Sequence, residues 1–180
     1  PDPNMTFIQN IKSASSTIIC AGTGSGKTNA FFWPALSNIV DDTVKNPGTR
    51  VRALAIYPRN ELLKDQFNEA WKQCRKLDDL VKSEGGRKLK IGALFGDTFR
   101  DINHAKLEAR EKNKLFHVFS LLKCRNDDCL GEMRWNKAEF ENNKELLRCS
   151  SCANEVGADE VLLTRNAMAT SPPDIIFTTT

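Results

Sequence analysis

The stretch Ala21-Gly22-Thr23-Gly24-Ser25-Gly26-Lys27-Thr28, entered from the apolar run Thr17-Ile18-Ile19-Cys20, constrains the fold more than any other part of the chain. It fits the phosphate-binding loop pattern, with Ala21 where the strict form has glycine. A strand must stop, turn sharply and open a helix whose first N–H groups have no intrahelical partner and point into one small cavity. Gly22, Gly24 and Gly26 let the backbone approach phosphate oxygens without a Cβ in the way. Lys27 adds a mobile positive charge for the β- and γ-phosphates, and the Thr28 hydroxyl suits Mg²⁺. The helix N-terminus contributes further partial positive charge. Gly22, Thr23, Gly24, Ser25, Gly26, Lys27 and Thr28 are therefore the expected seat of a nucleoside triphosphate with Mg²⁺. A chance Gly/Ser/Thr-rich turn is the alternative, and the strand–loop–helix context with its closing Gly-Lys-Thr argues against it.

Periodicity places the remaining elements around that loop. Residues 1–16 are polar and irregular, with room for a short helix around 4–13. A strand is expected over 17–20 and a helix from Lys27 to about Val44, with Phe31, Phe32, Leu36, Ile39 and Val40 on helical spacing and Pro34 bending it. Arg52 to Tyr57 predicts a second strand, and Asn60 to Lys82 one helix with the stripe Leu63, Phe67, Ala70, Cys74, Leu77 and Val81. Gly85-Gly86 breaks it. Lys90 to Phe95 predicts a third strand, 99–113 a polar helix, 159–169 a short helix, and Asp174 to Phe177 a last strand. Continuous apolar strands alternating with helices predict an α/β fold, a parallel sheet covered by helices on both faces. Ligands of such sheets bind at the carboxyl edge.

Between 116 and 157 the helical period disappears and four of the six cysteines gather. Cys124 and Cys129 are spaced by four residues, Cys149 and Cys152 by two. Their leads, Leu121-Leu122-Lys123 and Leu146-Leu147-Arg148, repeat at an offset of 25 residues. Two knuckles offering two thiolates each complete a tetrahedral Zn²⁺ site, and such a site folds a segment too short for its own core. Four thiolates leave no open position for water, so the expected zinc is structural. Trp135 and Phe140 are expected to pack beneath it. Four unrelated buried cysteines, a disulfide pair or an iron–sulfur cluster are the competing readings, each weaker against the paired spacing and a reducing compartment. Cys20 and Cys74 read as packed side chains. The insert's basic residues are offset by its acids, which favours a structural or partner-docking role over a DNA grip.

Hydrophobic content of 40% and charged content of 27% are ordinary for a globular domain of 180 residues. A formal net charge of +3 does not by itself argue for a nucleic-acid partner. No run approaches the roughly 20 apolar residues that span a bilayer, and the expected compartment is the cytoplasm. The chain starts at Pro1 and stops straight after a strand-like run, so it reads as a piece of a larger protein.

These motifs, in this order, resemble the first RecA-like motor domain of superfamily-2 DEAD/DEAH-type helicases. AGTGSGKT followed by Phe31-Phe32 and Pro34-Ala35-Leu36 looks like motif I and its helix. Tyr57-Pro58-Arg59-Asn60-Glu61-Leu62-Leu63-Lys64-Asp65-Gln66 is similar to motif Ia, Gly96-Asp97-Thr98 to the next glycine-containing contact loop, and Pro173-Asp174-Ile175-Ile176-Phe177-Thr178-Thr179 to motif Ib. The resemblance implies ATP and Mg²⁺ at the loop and nucleic-acid backbone at Arg59, Asn60, Gly96, Thr178 and Thr179, with DNA expected ahead of RNA. It implies a division into 1–115 and 158–180 as motor domain and 116–157 as zinc-binding insert. The zinc insert points to large prokaryotic relatives, including those of anti-phage systems such as DISARM. Motif II, an apolar strand ending in Asp-Glu, is expected after Thr180, as are the second motor domain and its arginine finger; the fragment alone is expected to be inactive. Asp41-Asp42 and Asp78-Asp79 imitate motif II but lie on helices and read as solvated acids. Gln9 lies too close to Lys27 for a secure adenine-reading glutamine. Another P-loop enzyme such as a kinase with a structural zinc insert stays open, as does a non-catalytic zinc-containing interaction module.

Overall fold

The computed structural model describes Ile18 and residues 27–180, with the side chain of Lys27 left out. The possible helix at 4–13, the strand expected at 17–20 apart from Ile18, and loop residues 21–26 lie outside the described residues. Fourteen elements follow in chain order: α1 Lys27–Lys45, β1 Ala53–Tyr57, α2 Asn60–Lys76, α3 Asp78–Ser83, β2 Ile91–Leu94, α4 Ile102–Glu111, β3 Phe116–Lys123, β4 Glu132–Asn136, α5 Lys137–Glu141, β5 Leu146–Cys149, β6 Glu155–Gly157, β7 Val161–Leu162, α6 Arg165–Thr170 and β8 Ile175–Thr179.

Two sheets organise them. The first is parallel, in the order β1-β8-β2-β7; the second is antiparallel, in the order β3-β4-β5-β6. The parallel sheet with its flanking helices makes the fold α/β, as the alternating pattern predicts. β8 is the last strand in sequence yet lies between β1 and β2, in register Tyr57↔Thr179 and Leu94↔Thr178.

Helix α2 joins the two sheets. Its apolar stripe Leu63, Phe67, Ala70, Trp71 and Cys74 is buried. Phe67 is fully buried, with Phe177 of β8 at 5.2 Å on one side and Phe119 of β3 at 6.1 Å on the other, both edge-on. Removing one such ring from water contributes about 1.5–3 kcal/mol.

The long helix expected over 60–82 is two helices. Leu77, at φ −94 and ψ −7, ends α2 and opens α3, whose first turn holds Asp78 and Asp79 where carboxylates face the positive end of the helix dipole. Gly85 closes α3 at φ +77: its N–H bonds Lys82 O and the N–H of Gly86 bonds Val81 O, the two bonds of a glycine-terminated helix end. The helix expected at 159–169 also differs. Val161–Leu162 pairs with β2 because its side chains are buried, and the helix waits for Thr164, whose hydroxyl accepts the Ala167 N–H at 3.1 Å. Helix α1 continues through Pro34.

The amino-terminal edge of the parallel sheet is closed by charge. Asp174, fully buried just before β8, accepts from Arg52 at 2.6 Å, from Arg87 at 2.8 and 2.9 Å, and from the Lys90 N–H at 2.8 Å. Arg52 also binds Asp42 at 2.6 Å, and Arg50 binds the other Asp42 oxygen at 2.5 Å, which holds that carboxyl down at about 2. Asp42 is thus a structural ion-pair partner rather than a solvated acid. Asp78 departs from the same expectation: burial raises its pKa, against the pull of Arg75 at 3.5 Å.

Candidate functional site

Among the described residues, the opposite, carboxyl edge of the sheet is open. The register that aligns Tyr57, Thr179 and the end of β2 brings three of the expected contact segments together: Arg59-Asn60 after β1, Gly96 after β2, and Thr178-Thr179 ending β8. Arg59 and Asn60 are exposed at the start of α2, and the Arg59 side chain makes no capping bond. Gly96 is exposed, its φ lies outside the left-handed region, and a Cβ built on it would meet nothing within 4 Å. The packing of the described residues therefore gives no reason for a glycine there. Thr178 differs from the others: its hydroxyl donates to Leu94 O at 2.7 Å, a bond that stitches β8 to β2 and leaves the oxygen only as an acceptor. Of the phosphate-loop residues, Thr28 is half-buried in the first turn of α1, and Gly22 to Gly26 and the side chain of Lys27 lie outside the described residues.

Sequence reading missed Arg165. Its Nε and Nη2 donate to Thr98 O at 3.2 Å and Phe95 O at 3.0 Å, spanning the base of the Gly96 turn. The Phe99↔Thr164 bridge and the bonds from Arg165 N to Phe99 O and Asn166 N to Arg100 O fix the same pair of segments. Nothing in the local sequence around Arg165 signals this pairing, since its partners lie 67 and 70 residues away.

Cys124, Cys129, Cys149 and Cys152 converge, with all four Sγ atoms within 4.8 Å of one another. Cys124 and Cys152 stand 3.3 Å apart, Cys129 and Cys149 3.5 Å, all as free thiols. A tetrahedron with Zn–S of about 2.3 Å has S···S edges of about 3.8 Å, so the cluster has the size for one Zn²⁺. The surroundings fit thiolates. The Gly131 N–H points at Cys129 Sγ (3.4 Å) and the Ser151 N–H at Cys149 Sγ (3.5 Å). Backbone N–H donation from Cys152, with a further share from Ser151, lowers the Cys149 thiol to about 6. Against the N–H groups of Gly131 and Asn154, the neighbouring thiols raise Cys129 and push Cys152 up to about 12, so the fit rests on the geometry. Gly131 is a cradle: a Cβ there would run into Cys149 Sγ and lie 2.8 Å from Ser151 Oγ. Trp135 and Phe140, expected beneath the metal, are buried among other rings rather than against the thiols. Their ring partners are each other, with Trp135 also near Phe99 and both near His117, which places them in a cluster linking the second sheet to the turn after β2.

A second unforeseen centre is Glu160, only 4% exposed. It accepts from Lys88 at 2.8 Å, from Arg125 at 2.8 and 3.1 Å and from Trp71 Nε1 at 3.3 Å, and Arg75 lies 3.3 Å away. Burial opposes its charge, and the surrounding cations led by Lys88 prevail, so its pKa is lowered. A glutamate ahead of an apolar run carries no sign of such a role in the sequence.

A parallel α/β sheet with one edge closed by ion pairs and the other lined by exposed loops defines the architecture, with a four-thiol module packed on its flank. The chain belongs to the DEAD/DEAH box helicase family, whose model matches residues 4–123. It is similar to the ATP-dependent RNA helicase ROK1 of Eremothecium gossypii, 40% identical over 77 residues that make up 43% of this chain and 12% of that protein. It is similar to the ATP-dependent RNA helicase vasa of Drosophila melanogaster, 36% identical over 94 residues, 52% of this chain and 13% of vasa. The Druantia protein DruE of Escherichia coli is 36% identical over 60 residues, 31% of this chain and 3% of that protein. The chain thus spans a small part of the length of these relatives. Among the described residues, no helix is long and apolar enough to cross a membrane.

Proposed function

We propose that this chain is the ATP-binding part of an ATP-driven nucleic-acid helicase or translocase that grips its polymer through backbone phosphates. The observation that carries the reading is the common carboxyl edge, where Arg59-Asn60, Gly96 and Thr179 end adjacent parallel strands in register. Phosphate contacts hold a polymer without reading its sequence, which is what a motor that steps along a strand requires. Thr178 serves the same edge by holding β8 to β2. Lys27, Thr28 and the backbone of residues 22–27 hold ATP with Mg²⁺, which neutralises charge on the phosphates. The acid that orients water is assigned to the segment that the resemblance places after Thr180, so the 180 residues alone bind nucleotide and scarcely hydrolyse it.

Within this reading 1–115 and 158–180 form the motor domain, and 116–157 is the insert whose four cysteines hold a structural Zn²⁺. The thiol spacing, the N–H groups aimed at sulfur and the Gly131 cradle support that assignment. A cytoplasmic place and a part in anti-phage defence complete the proposal. The named relatives include two RNA helicases, which favours testing RNA beside the DNA expected from sequence.

The test is ATP hydrolysis by the full-length protein with and without single-stranded RNA, single-stranded DNA and duplex DNA. Stimulation by at least one polymer, abolished by Lys27→Ala, is the expected result. Hydrolysis indifferent to all of them, or surviving in Lys27→Ala at the wild-type rate, refutes the reading.

A further inference from the structure

The four-cysteine module does not stand apart from the parallel sheet; it lies along α2. Three contacts follow one another down that helix. Phe67 meets Phe119 edge-on at 6.1 Å, Asn68 Oδ1 accepts the Lys123 N–H at 2.9 Å, and Lys72 pairs with Asp127 between the first two cysteines. At the end of the line the guanidinium of Arg125, the residue after Cys124, lies 5.4 Å from the Trp71 ring centroid and donates to both oxygens of Glu160. Glu160 in turn takes the Trp71 Nε1–H and faces Arg75. One buried carboxylate therefore holds a residue of the metal knuckle and two residues of α2 at once.

We propose that Arg125 and Glu160 are positioning residues, through which the metal-loaded knuckle sets the placement of α2 and so of the Arg59-Asn60 turn at its start. The inference rests on the reading of that turn as a nucleic-acid contact. The knuckle itself, residues 125–128, is exposed and has no core beneath it, so it keeps its shape only while the thiolates that bracket it share an ion. Arg125 is adjacent to the ligand Cys124, so its guanidinium reaches Glu160 from a fixed point when the ion is bound. An α-helix is stiff along its axis, and from Arg75 back to Asn60 is roughly 22 Å at 1.5 Å per residue. A shift where Glu160 holds Trp71 and Arg75 is therefore carried to the open edge of the sheet. Phe67, between the two sheets, is the fulcrum. Zinc at this module then acts on the grip of the motor without touching the polymer.

Arg125 is half exposed, so its replacement leaves the core intact. The experiment compares full-length wild type with Arg125→Ala and Arg125→Lys. Three quantities are read: bound zinc per chain, amide exchange across Asn60–Lys76, and affinity for single-stranded RNA and DNA oligonucleotides. Arg125→Ala is expected to keep its zinc, to exchange faster over α2, and to bind the oligonucleotide on the order of 10-fold more weakly, within the usual span of coupling between sites. Arg125→Lys restores part of both effects, because it keeps the charge but not the paired donation. Stripping zinc from the wild type with a chelator reproduces the faster exchange. Full zinc with wild-type exchange in Arg125→Ala overturns the joint, and faster exchange with unchanged affinity overturns its positioning role. If the wild type binds neither oligonucleotide, the contact reading of Arg59-Asn60 has failed, and with it the positioning role. The exchange comparison still decides the joint itself.

Discussion

Replacing Gly96 by alanine separates folding from binding, because the packing of the described residues makes no use of that glycine. A Cβ at Gly96 would have no atom of the described residues within 4 Å, and the backbone is not left-handed there. Alanine should therefore leave the folded state unstrained, and by restricting the unfolded chain it stabilises by about 0.4–1 kcal/mol. Gly92, four residues earlier on β2, is the control. A Cβ there would stand 2.5 Å from Met168 Sδ and 3.3 Å from Pro173 Cγ, and overpacking of that kind costs about 1–3 kcal/mol. If Gly96 is bare so that a phosphate can approach the turn, the added methyl displaces a charge-assisted contact worth about 1.5–3 kcal/mol. That corresponds to roughly 10- to 150-fold in Kd. Urea unfolding of both variants and fluorescence anisotropy with a labelled oligonucleotide measure the two effects. Gly96→Ala should unfold at or above the wild-type midpoint while binding weakly, and Gly92→Ala should unfold early. A Gly96→Ala protein that binds like wild type, or is as destabilised as Gly92→Ala, refutes the reasoning.

Asp174→Asn removes the counter-charge of the buried Arg52 and of Arg87, and should cost about 3 kcal/mol in urea unfolding; a loss under about 1 kcal/mol would show that the cluster is replaceable. Burial lowers the pKa of His117 below its ordinary 6.5, against the bond its Nε2–H donates to Ala105 O at 3.0 Å. As pH falls below 6.5 the unfolded chain takes up this proton first, so the neutral ring's contribution is present above 6.5 and drains away on acidification. His117→Gln, which keeps a donor, should flatten stability against pH just below that value, and an unchanged slope would mean that other groups set it. Gly131→Ala should lose zinc, because its methyl occupies the space of Cys149 Sγ. Full zinc content in that variant would show that the knuckle yields.

The parallel strands β1, β2 and β8 were legible as short apolar runs, and the α2 stripe by its helical spacing: Leu63, Phe67, Ala70, Cys74 and Val81 all lie within the core. The four antiparallel strands between 116 and 157 carry no such run and were not read. The four cysteines were legible because ligand spacing is a local signal. What escaped was decided by distant partners. Leu77 belongs to the same stripe, yet the chain breaks there to give Asp78 and Asp79 a fresh helix start. Val161-Leu162 runs straight into a helix in the sequence and becomes a strand because β2 offers it a free edge. Asp174 was read as a strand start and part of a motif, and neither Arg52 nor Arg87 announces from 122 and 87 residues away that it will meet that carboxylate.

The two ends of the parallel sheet thus carry opposite tasks. At the amino-terminal end Asp174 ties together the lead-ins of β1, β2 and β8, so the strands enter the sheet at fixed heights. With a shared starting level and parallel pairing, the other ends must also finish level, which is why Tyr57, Thr179 and the turn at Gly96 share one rim. The charge cluster that would be a poor investment at a binding edge, where it would compete with phosphate, is placed where it can be buried. It leaves the rim with Arg59 exposed and Gly96 bare. Loosening the Asp174 cluster should therefore blur the alignment of the rim as well as lower stability. In Asp174→Asn at temperatures where the protein remains folded, nucleic-acid affinity should fall although no contact residue has changed. Undiminished affinity in that folded variant would mean that the rim is aligned by the α2 packing alone.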